Sequence, residues 1–169
     1  MKAIFIGTRI EAFKVLEQYS NIQSVITTQK SFVDKYIDKS KYKIKYVNSK
    51  NKKEIFKFIR DAKVNLILSS GFPYIIPKEF LNKKIKIINS HPSLLPKYKG
   101  YSSIKEAIFN GETQIGVTVH YINEKVDDGE IICVKKLTIK HYKNIDMVYK
   151  KIFSTIEPHA IKIALEKIK

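Results

Sequence analysis

Ile85-Lys86-Ile87-Ile88-Asn89-Ser90-His91-Pro92 is an apolar run that ends in three polar residues and a proline. Isoleucines at 85, 87 and 88 suit a strand buried in a sheet, and Pro92 cannot donate to a ladder beyond it. Similar runs recur along the chain. Residues 2–7 read as a first buried strand closed by a turn at Gly7-Thr8. Ile22 to Thr28, Ile44 to Val47 and Val64 to Leu68 read as further strands. Helical spacing links Ile10, Phe13 and Leu16 within residues 9–18, and Ile55, Phe56 and Ile59 within residues 50–60, where Asn48 or Ser49 is placed to cap. Ser31 to Lys41 is ambiguous, with Phe32, Val33, Tyr36 and Ile37 favouring a short helix. Strands alternating with helices predict an α/β fold with a mostly parallel, twisted sheet covered on both faces. Ser102 to Phe109 predicts another helix. Gly116 to Ile122 and Glu130 to Leu137 predict an antiparallel hairpin at the sheet edge. Asn144 to Ile168 predicts a helical finish that Pro158 kinks or restarts.

A chain of 169 residues with 44% hydrophobic and 28% charged residues fits one domain over residues 1–169, with no internal repeat and no linker. No apolar stretch reaches the roughly 18 residues that a membrane span needs, so no membrane partner is expected. The apolar run after Met1-Lys2 is too short for a signal peptide. Cys133 stands alone within Ile131-Ile132-Cys133-Val134, which excludes an intrachain disulfide and reads as a buried thiol. A cytoplasmic enzyme is the natural expectation. The net charge of +16 comes from lysines spread along the chain, with Arg9 and Arg60 the only arginines. Lysines act as solvated point charges more than as bidentate readers of phosphate or bases. A positive surface draws phosphorylated or nucleic-acid substrates, and a lysine-biased soluble surface explains it equally.

In open α/β sheets, ligands bind beyond the carboxyl ends of the strands. Gly7-Thr8-Arg9, Ser69-Ser70-Gly71 and Asn89-Ser90-His91 sit at such ends. The first matches neither a dinucleotide fingerprint nor a P-loop, and no G-x-S-x-G elbow is present. Period-two alternation puts Asn89 and His91 on one side of the strand if the strand persists that far. An amide donor and an imidazole then converge, able to stabilise an oxyanion and move a proton. Pro92 to Gly100 forms a stiff wall beside them. His120, in Val117-Thr118-Val119-His120-Tyr121, is a weaker candidate, and His141 and His159 carry no site signal. The loop Glu124 to Glu130 offers a carboxylate that can orient an imidazole, with Gly129 allowing a tight turn. His91, His120 and Asp127 lack the short ligand spacing of a metal site, so no metal is expected.

Asn89-Ser90-His91-Pro92-Ser93-Leu94-Leu95-Pro96, running on to Gly100, resembles a signature of the folate-dependent formyltransferases. Gly116-Val117-Thr118-Val119-His120-Tyr121, followed by Val126-Asp127-Asp128-Gly129-Glu130-Ile131-Ile132, resembles their second signature, in the same order and separation. The resemblance implies a three-layer Rossmann-like formyltransferase domain. It implies 10-formyltetrahydrofolate as the formyl donor, released as tetrahydrofolate. By the same likeness, Asn89, His91 and Asp127 are the catalytic trio. Leu68, Phe72, Tyr74 and Ile75, with Asn123, Glu124 and Val126, meet the folate. Gly7, Thr8, Arg9, Tyr98, Lys99 and Gly100 meet the acceptor. Asp128 stands where the family usually has a small residue.

The acceptor is read from the first loop. Phosphoribosylglycinamide formyltransferases carry a Gly-Asn-Gly-Ser-Asn type of loop where this chain has Gly7-Thr8-Arg9-Ile10. Methionyl-tRNA formyltransferases share the Gly-Thr start, and the basic charge suits tRNA. Amino-sugar N-formyltransferases share the Gly-Val-Thr-Val-His-Tyr-Ile motif, and the amino group of a nucleotide-linked amino sugar is the expected acceptor. The alternatives are a methionyl-tRNA acceptor, a phosphoribosylglycinamide acceptor, or an inactive homologue that binds RNA or protein. Self-association stays open.

Overall fold

The computed structural model describes residues 1–140, 142 and 144–169, so the expectation for His141 lies outside the described residues. The chain forms two compact units, Met1–Ile88 and Asn89–Lys169. In the first, β1 (Lys2–Gly7) pairs in parallel with β2 (Asn21–Thr27) and with β4 (Leu66–Ser70), and β2 pairs in parallel with β3 (Lys43–Tyr46). Ala3 to Ile6 and Leu66 to Leu68 are almost wholly buried, as expected of strands covered on both faces. Helix α1 (Ile10–Tyr19) buries Ala12, Phe13 and Leu16. Phe13 meets Phe5 edge to face at 5.6 Å, a favourable aromatic geometry. The ambiguous segment holds α2 (Phe32–Tyr36), capped by Ser31 Oγ, which accepts the Asp34 N–H at 3.0 Å.

Helix α3 (Lys52–Arg60) buries the expected Ile55, Phe56 and Ile59, but its cap is Asn51 rather than Asn48 or Ser49. Asn48 Oδ1 accepts the N–H groups of Lys50 and Asn51, and this turn delays the helix.

In the second unit, β6 (Gln114–Tyr121) and β7 (Ile131–Thr138) form the expected antiparallel hairpin. A Cβ on Gly116 would stand 2.2 Å from the Lys135 carbonyl oxygen and 2.5 Å from the Leu94 side chain, so close approach demands glycine there. Helix α4 spans Ser103–Phe109, α5 Ile145–Lys151 and α6 Glu157–Ile168, the last packed on β6 and β7. Pro158 is the second residue of α6 and follows a continuous helical backbone, so its missing N–H leaves one bond to the preceding turn unmade. The irregularity precedes it, as a π-helical turn at Ile152–Ile156.

With β5 (Lys86–His91), the strands make a seven-stranded mixed sheet of order β3-β2-β1-β4-β5-β6-β7, mostly parallel with an antiparallel edge. Among the described residues, no helix is long and apolar enough to cross a membrane.

Candidate active site

Strand β5 persists through His91, so Asn89 and His91 share a face and Ser90 lies on the other. The side chains of Asn89, His91, His120 and Asp127 come together within the second unit. Backbone irregularities bring the last two there. The β6–β7 register shifts between Val119 and His120, and such bulges re-aim side chains. Asp127 itself takes the left-handed conformation, φ 47°, which aspartate tolerates better than most residues. Gly129 allows the tight turn, as expected, though by clearance. A Cβ there would stand 1.7 Å from the Tyr121 carbonyl oxygen, so its role is to let the acid loop close against β6.

Asp127 is the hub. Its Oδ2 accepts the Gly100 N–H at 2.8 Å and faces His91 Nδ1 at 3.3 Å. Its Oδ1 faces His120 Nε2 at 3.4 Å and Asn89 Nδ2 at 3.5 Å. Burial, the largest influence, pushes the Asp127 carboxyl up. The hydrogen bond from His120, the charge of His91 and the Gly100 N–H together outweigh it and hold the carboxyl below its ordinary value. Both nitrogens of His91 face oxygen, since Nε2 lies 2.8 Å from the Tyr98 carbonyl. A proton on each is the arrangement that leaves no lone pair against an acceptor, so the geometry suits an imidazolium paired with the carboxylate. His120 Nδ1 lies 2.9 Å from the Tyr121 carbonyl oxygen, and its Nε2 lies 3.4 Å from both Asp127 Oδ1 and Asn89 Nδ2. Among the described residues, no group of three His, Cys, Asp or Glu side chains could hold a metal ion.

The stiff wall is held by hydrogen bonds as much as by proline. Thr118 Oγ1 donates to the Ser93 carbonyl at 2.7 Å and accepts the Leu95 N–H at 3.2 Å, while Ser93 Oγ donates to the Lys97 carbonyl at 2.8 Å. Tyr98, Lys99 and Gly100, expected against the acceptor, are drawn into this framework. The Tyr98 hydroxyl donates to Glu112 at 2.9 Å, Lys99 pairs with Asp128, and Gly100 holds Asp127. Asp128, the departure from the family pattern, thus straps the acid loop to the wall.

Of the expected folate residues in the second unit, Asn123 Nδ2 donates to the Asp128 carbonyl at 3.1 Å and Val126 is 43% exposed. Glu124 is exposed. In the first unit, Leu68 is fully buried and Ile75 is 69% exposed, and the Phe72 and Tyr74 rings meet edge to face. Gly7, Thr8 and Arg9 pack on the end of β4. The Thr8 N–H donates to the Ser70 carbonyl and Thr8 Oγ1 to the Gly71 carbonyl, each at 3.1 Å. Gly7 has φ 141°, and a Cβ there would strike the Ser70 carbonyl. Arg9 lies at the start of α1, and its side chain lines the space above Gly71. Two features escaped the sequence reading: the weight due to His120, which depends on the bulge, and a buried Ser90–Glu157 pair, whose partners no motif links.

An α/β sheet with an amide, two imidazoles and a carboxylate gathered at the end of one strand defines the class. Residues 11–164 match the formyl transferase family, and the chain belongs to it. It is similar to a methionyl-tRNA formyltransferase of Borrelia garinii subsp. bavariensis, 41% identical over 113 residues, covering 65% of this chain and 35% of that protein. A methionyl-tRNA formyltransferase of Thermotoga maritima is 28% identical over 185 residues, covering 100% of this chain and 59% of that protein. The chain therefore spans about a third of the first relative's length and less than two thirds of the second's. Among solved structures, a phosphoribosylglycinamide formyltransferase from Campylobacter jejuni superposes with TM-score 0.78 at 27% identity, covering 99% of this chain and 97% of that one. One from Bacillus halodurans shares the fold, with TM-score 0.84 at 17% identity over 98% of this chain and 94% of that one.

Proposed function

We propose that residues 1–169 act as a catalytic domain that transfers a formyl group from 10-formyltetrahydrofolate to a primary amine, and that the amine is the methionyl amino group of a charged tRNA. The observation that carries the reaction is the convergence of His91, His120 and Asn89 on the Asp127 carboxylate. An amine attacking a formyl carbon builds negative charge on oxygen and positive charge on nitrogen. Asn89 donates to that oxygen, and the His91 imidazolium supplies a fixed positive field. Asp127 takes the proton that the attacking nitrogen sheds, directly or through water. As the oxyanion collapses, the bond from the formyl carbon to N10 of the donor breaks, N10 takes up that proton and tetrahydrofolate leaves. His120 holds the Asp127 carboxylate through its other oxygen. Exposed Val126, beside Asp127, offers apolar surface for the donor's ring, and by family likeness we assign Asn123 and Glu124, and likewise Leu68, Phe72, Tyr74 and Ile75, to the donor.

The relatives support the acceptor, because the curated proteins above are methionyl-tRNA formyltransferases. Residues 1–88 also carry 19 basic against 7 acidic side chains, a charge that attracts nucleic acid. The amino-sugar acceptor expected from the sequence gives way, since the relatives above act on methionyl-tRNA or phosphoribosylglycinamide. A phosphoribosylglycinamide acceptor is the second reading, favoured by the likeness over 97% of the Campylobacter jejuni chain. The experiment is tetrahydrofolate release from 10-formyltetrahydrofolate with each of three acceptors: methionyl initiator tRNA, phosphoribosylglycinamide and a nucleotide-linked amino sugar. Release with the tRNA alone supports the first reading. Release with none, together with tight salt-sensitive RNA binding, refutes the enzyme.

A further inference from the structure

Ser90 stands between Asn89 and His91 but faces the other way, and its hydroxyl donates to Glu157 Oε1 at 2.5 Å. Ser90 is 3% exposed and Glu157 0%. Burying a carboxyl group is costly even when it is hydrogen-bonded, and a matched apolar pair fills the same space more cheaply. The fold also departs from regular geometry to place it. The Glu157 N–H donates to the Ile152 carbonyl, closing the π turn at Ile152–Ile156 immediately before α6. Such turns are rare and recur at functional sites. The inserted residue rotates the downstream helix by about 100° relative to an uninterrupted α-helix. Formyl transfer itself uses neither Ser90 nor Glu157.

We propose that Glu157 is a positioning residue. Its hydrogen bond to Ser90 fixes the rotation of β5 about its own axis, and with it the two side chains flanking Ser90 on the opposite face. Side chains alternate along a strand, so pinning the middle one sets the direction of both neighbours. A hydrogen bond is directional where an apolar contact is not, so it holds the strand in one rotation rather than merely against the helix. The inference rests on the assignment of Asn89 and His91 to formyl transfer.

The test uses the whole chain with nitrogen-labelled histidine and the variants Glu157→Ala, Ser90→Ala and Glu157→Gln. Two quantities are read. One is the His91 imidazole nitrogen resonances, assigned by their loss in His91→Ala, which need no acceptor. The other is kcat and KM with 10-formyltetrahydrofolate and methionyl initiator tRNA. Glu157→Ala and Ser90→Ala shift the His91 resonances and lower kcat at least about tenfold, with KM within about twofold, because displacing a reacting group by about 1 Å costs on the order of 100-fold. Glu157→Gln keeps an acceptor for the Ser90 hydroxyl and restores both readouts. Where Glu157→Ala does not fold, Ser90→Ala and Glu157→Gln decide. Unshifted His91 resonances with wild-type kcat in Ser90→Ala overturn the proposal, and so does a Glu157→Gln protein that fails as the alanine variant does. If the wild type forms no formyl-tRNA but the resonances shift as described, the acceptor assignment fails and the positioning role stands.

Discussion

His91 Nδ1 lies 3.3 Å from Asp127 Oδ2, and the two side chains are only 6% and 12% exposed. Sheltered in this way, the pair escapes most of the solvent screening that weakens surface ion pairs. Breaking it from the histidine side leaves a carboxylate short of one partner and the site without its fixed positive charge. His91→Ala is expected to slow formyl transfer at least about 100-fold, the low end of what one positioned acid–base group contributes. Circular dichroism checks that the fold is kept. A slowing of less than about threefold contradicts the role.

The same carboxylate makes stability depend on pH in one direction. The Asp127 carboxyl is held below its ordinary value in the folded chain, so the folded state binds its proton less readily than the unfolded state does. Its stabilising contribution is fully present above the unfolded value of about 3.9 and is lost as pH falls through the lower folded value. The unfolding free energy of the wild type minus that of Asp127→Asn, measured by urea titration, should shrink as pH falls below about 4. A difference that grows on acidification contradicts the charge arrangement.

Gly129 and Gly111 give a paired test of close approach against backbone strain. An alanine Cβ at 129 meets the Tyr121 carbonyl oxygen at 1.7 Å, whereas at Gly111, φ 70°, nothing lies within 4 Å. Gly129→Ala must push the acid loop off β6, costing roughly 1–3 kcal/mol as overpacking does and carrying Asp127 away from His91. Gly111→Ala costs only the left-handed strain, about 1–2 kcal/mol, and leaves transfer intact. Denaturant melts and initial rates on both variants separate the two effects, and equal rates would show that the loop's approach is immaterial.

Lys99 and Asp128 form an ion pair whose side chains are 36% and 38% exposed. A pair so open to water contributes at most about 1 kcal/mol. Lys99→Ala should therefore lower stability by less than about that amount. Gly100, which holds Asp127 through its backbone N–H, is untouched, so formyl transfer should persist. Loss of transfer in Lys99→Ala would give this lysine a part in binding substrate.

Much of this was legible in local sequence pattern. The β-branched runs marked the buried strands, and Asn89 and His91 could be placed on one face because alternation along a strand needs no tertiary information. The cap of α3 was misplaced because Asn48 and Asn51 have equal capping chemistry, and only the Asx turn at Asn48 chooses between them. Gly129 was legible as the residue that allows the tight turn, but not that it does so by clearance beside Tyr121 while Asp127 takes the positive φ. One-letter patterns do not distinguish those uses of a glycine-containing loop. Glu157 was invisible for a different reason. Its partner lies 67 residues away, and the π turn that aims it has no residue signature.

The central claim is that the Asp127 carboxylate receives the proton released as the amine attacks. Single-turnover formation of tetrahydrofolate by Asp127→Asn, with 10-formyltetrahydrofolate and methionyl initiator tRNA, tests it most directly. Asparagine keeps the shape and removes the base, so the account expects a rate constant at least about 100-fold below wild type in a variant that circular dichroism shows to be folded. A rate within about threefold of wild type in the folded variant would contradict it.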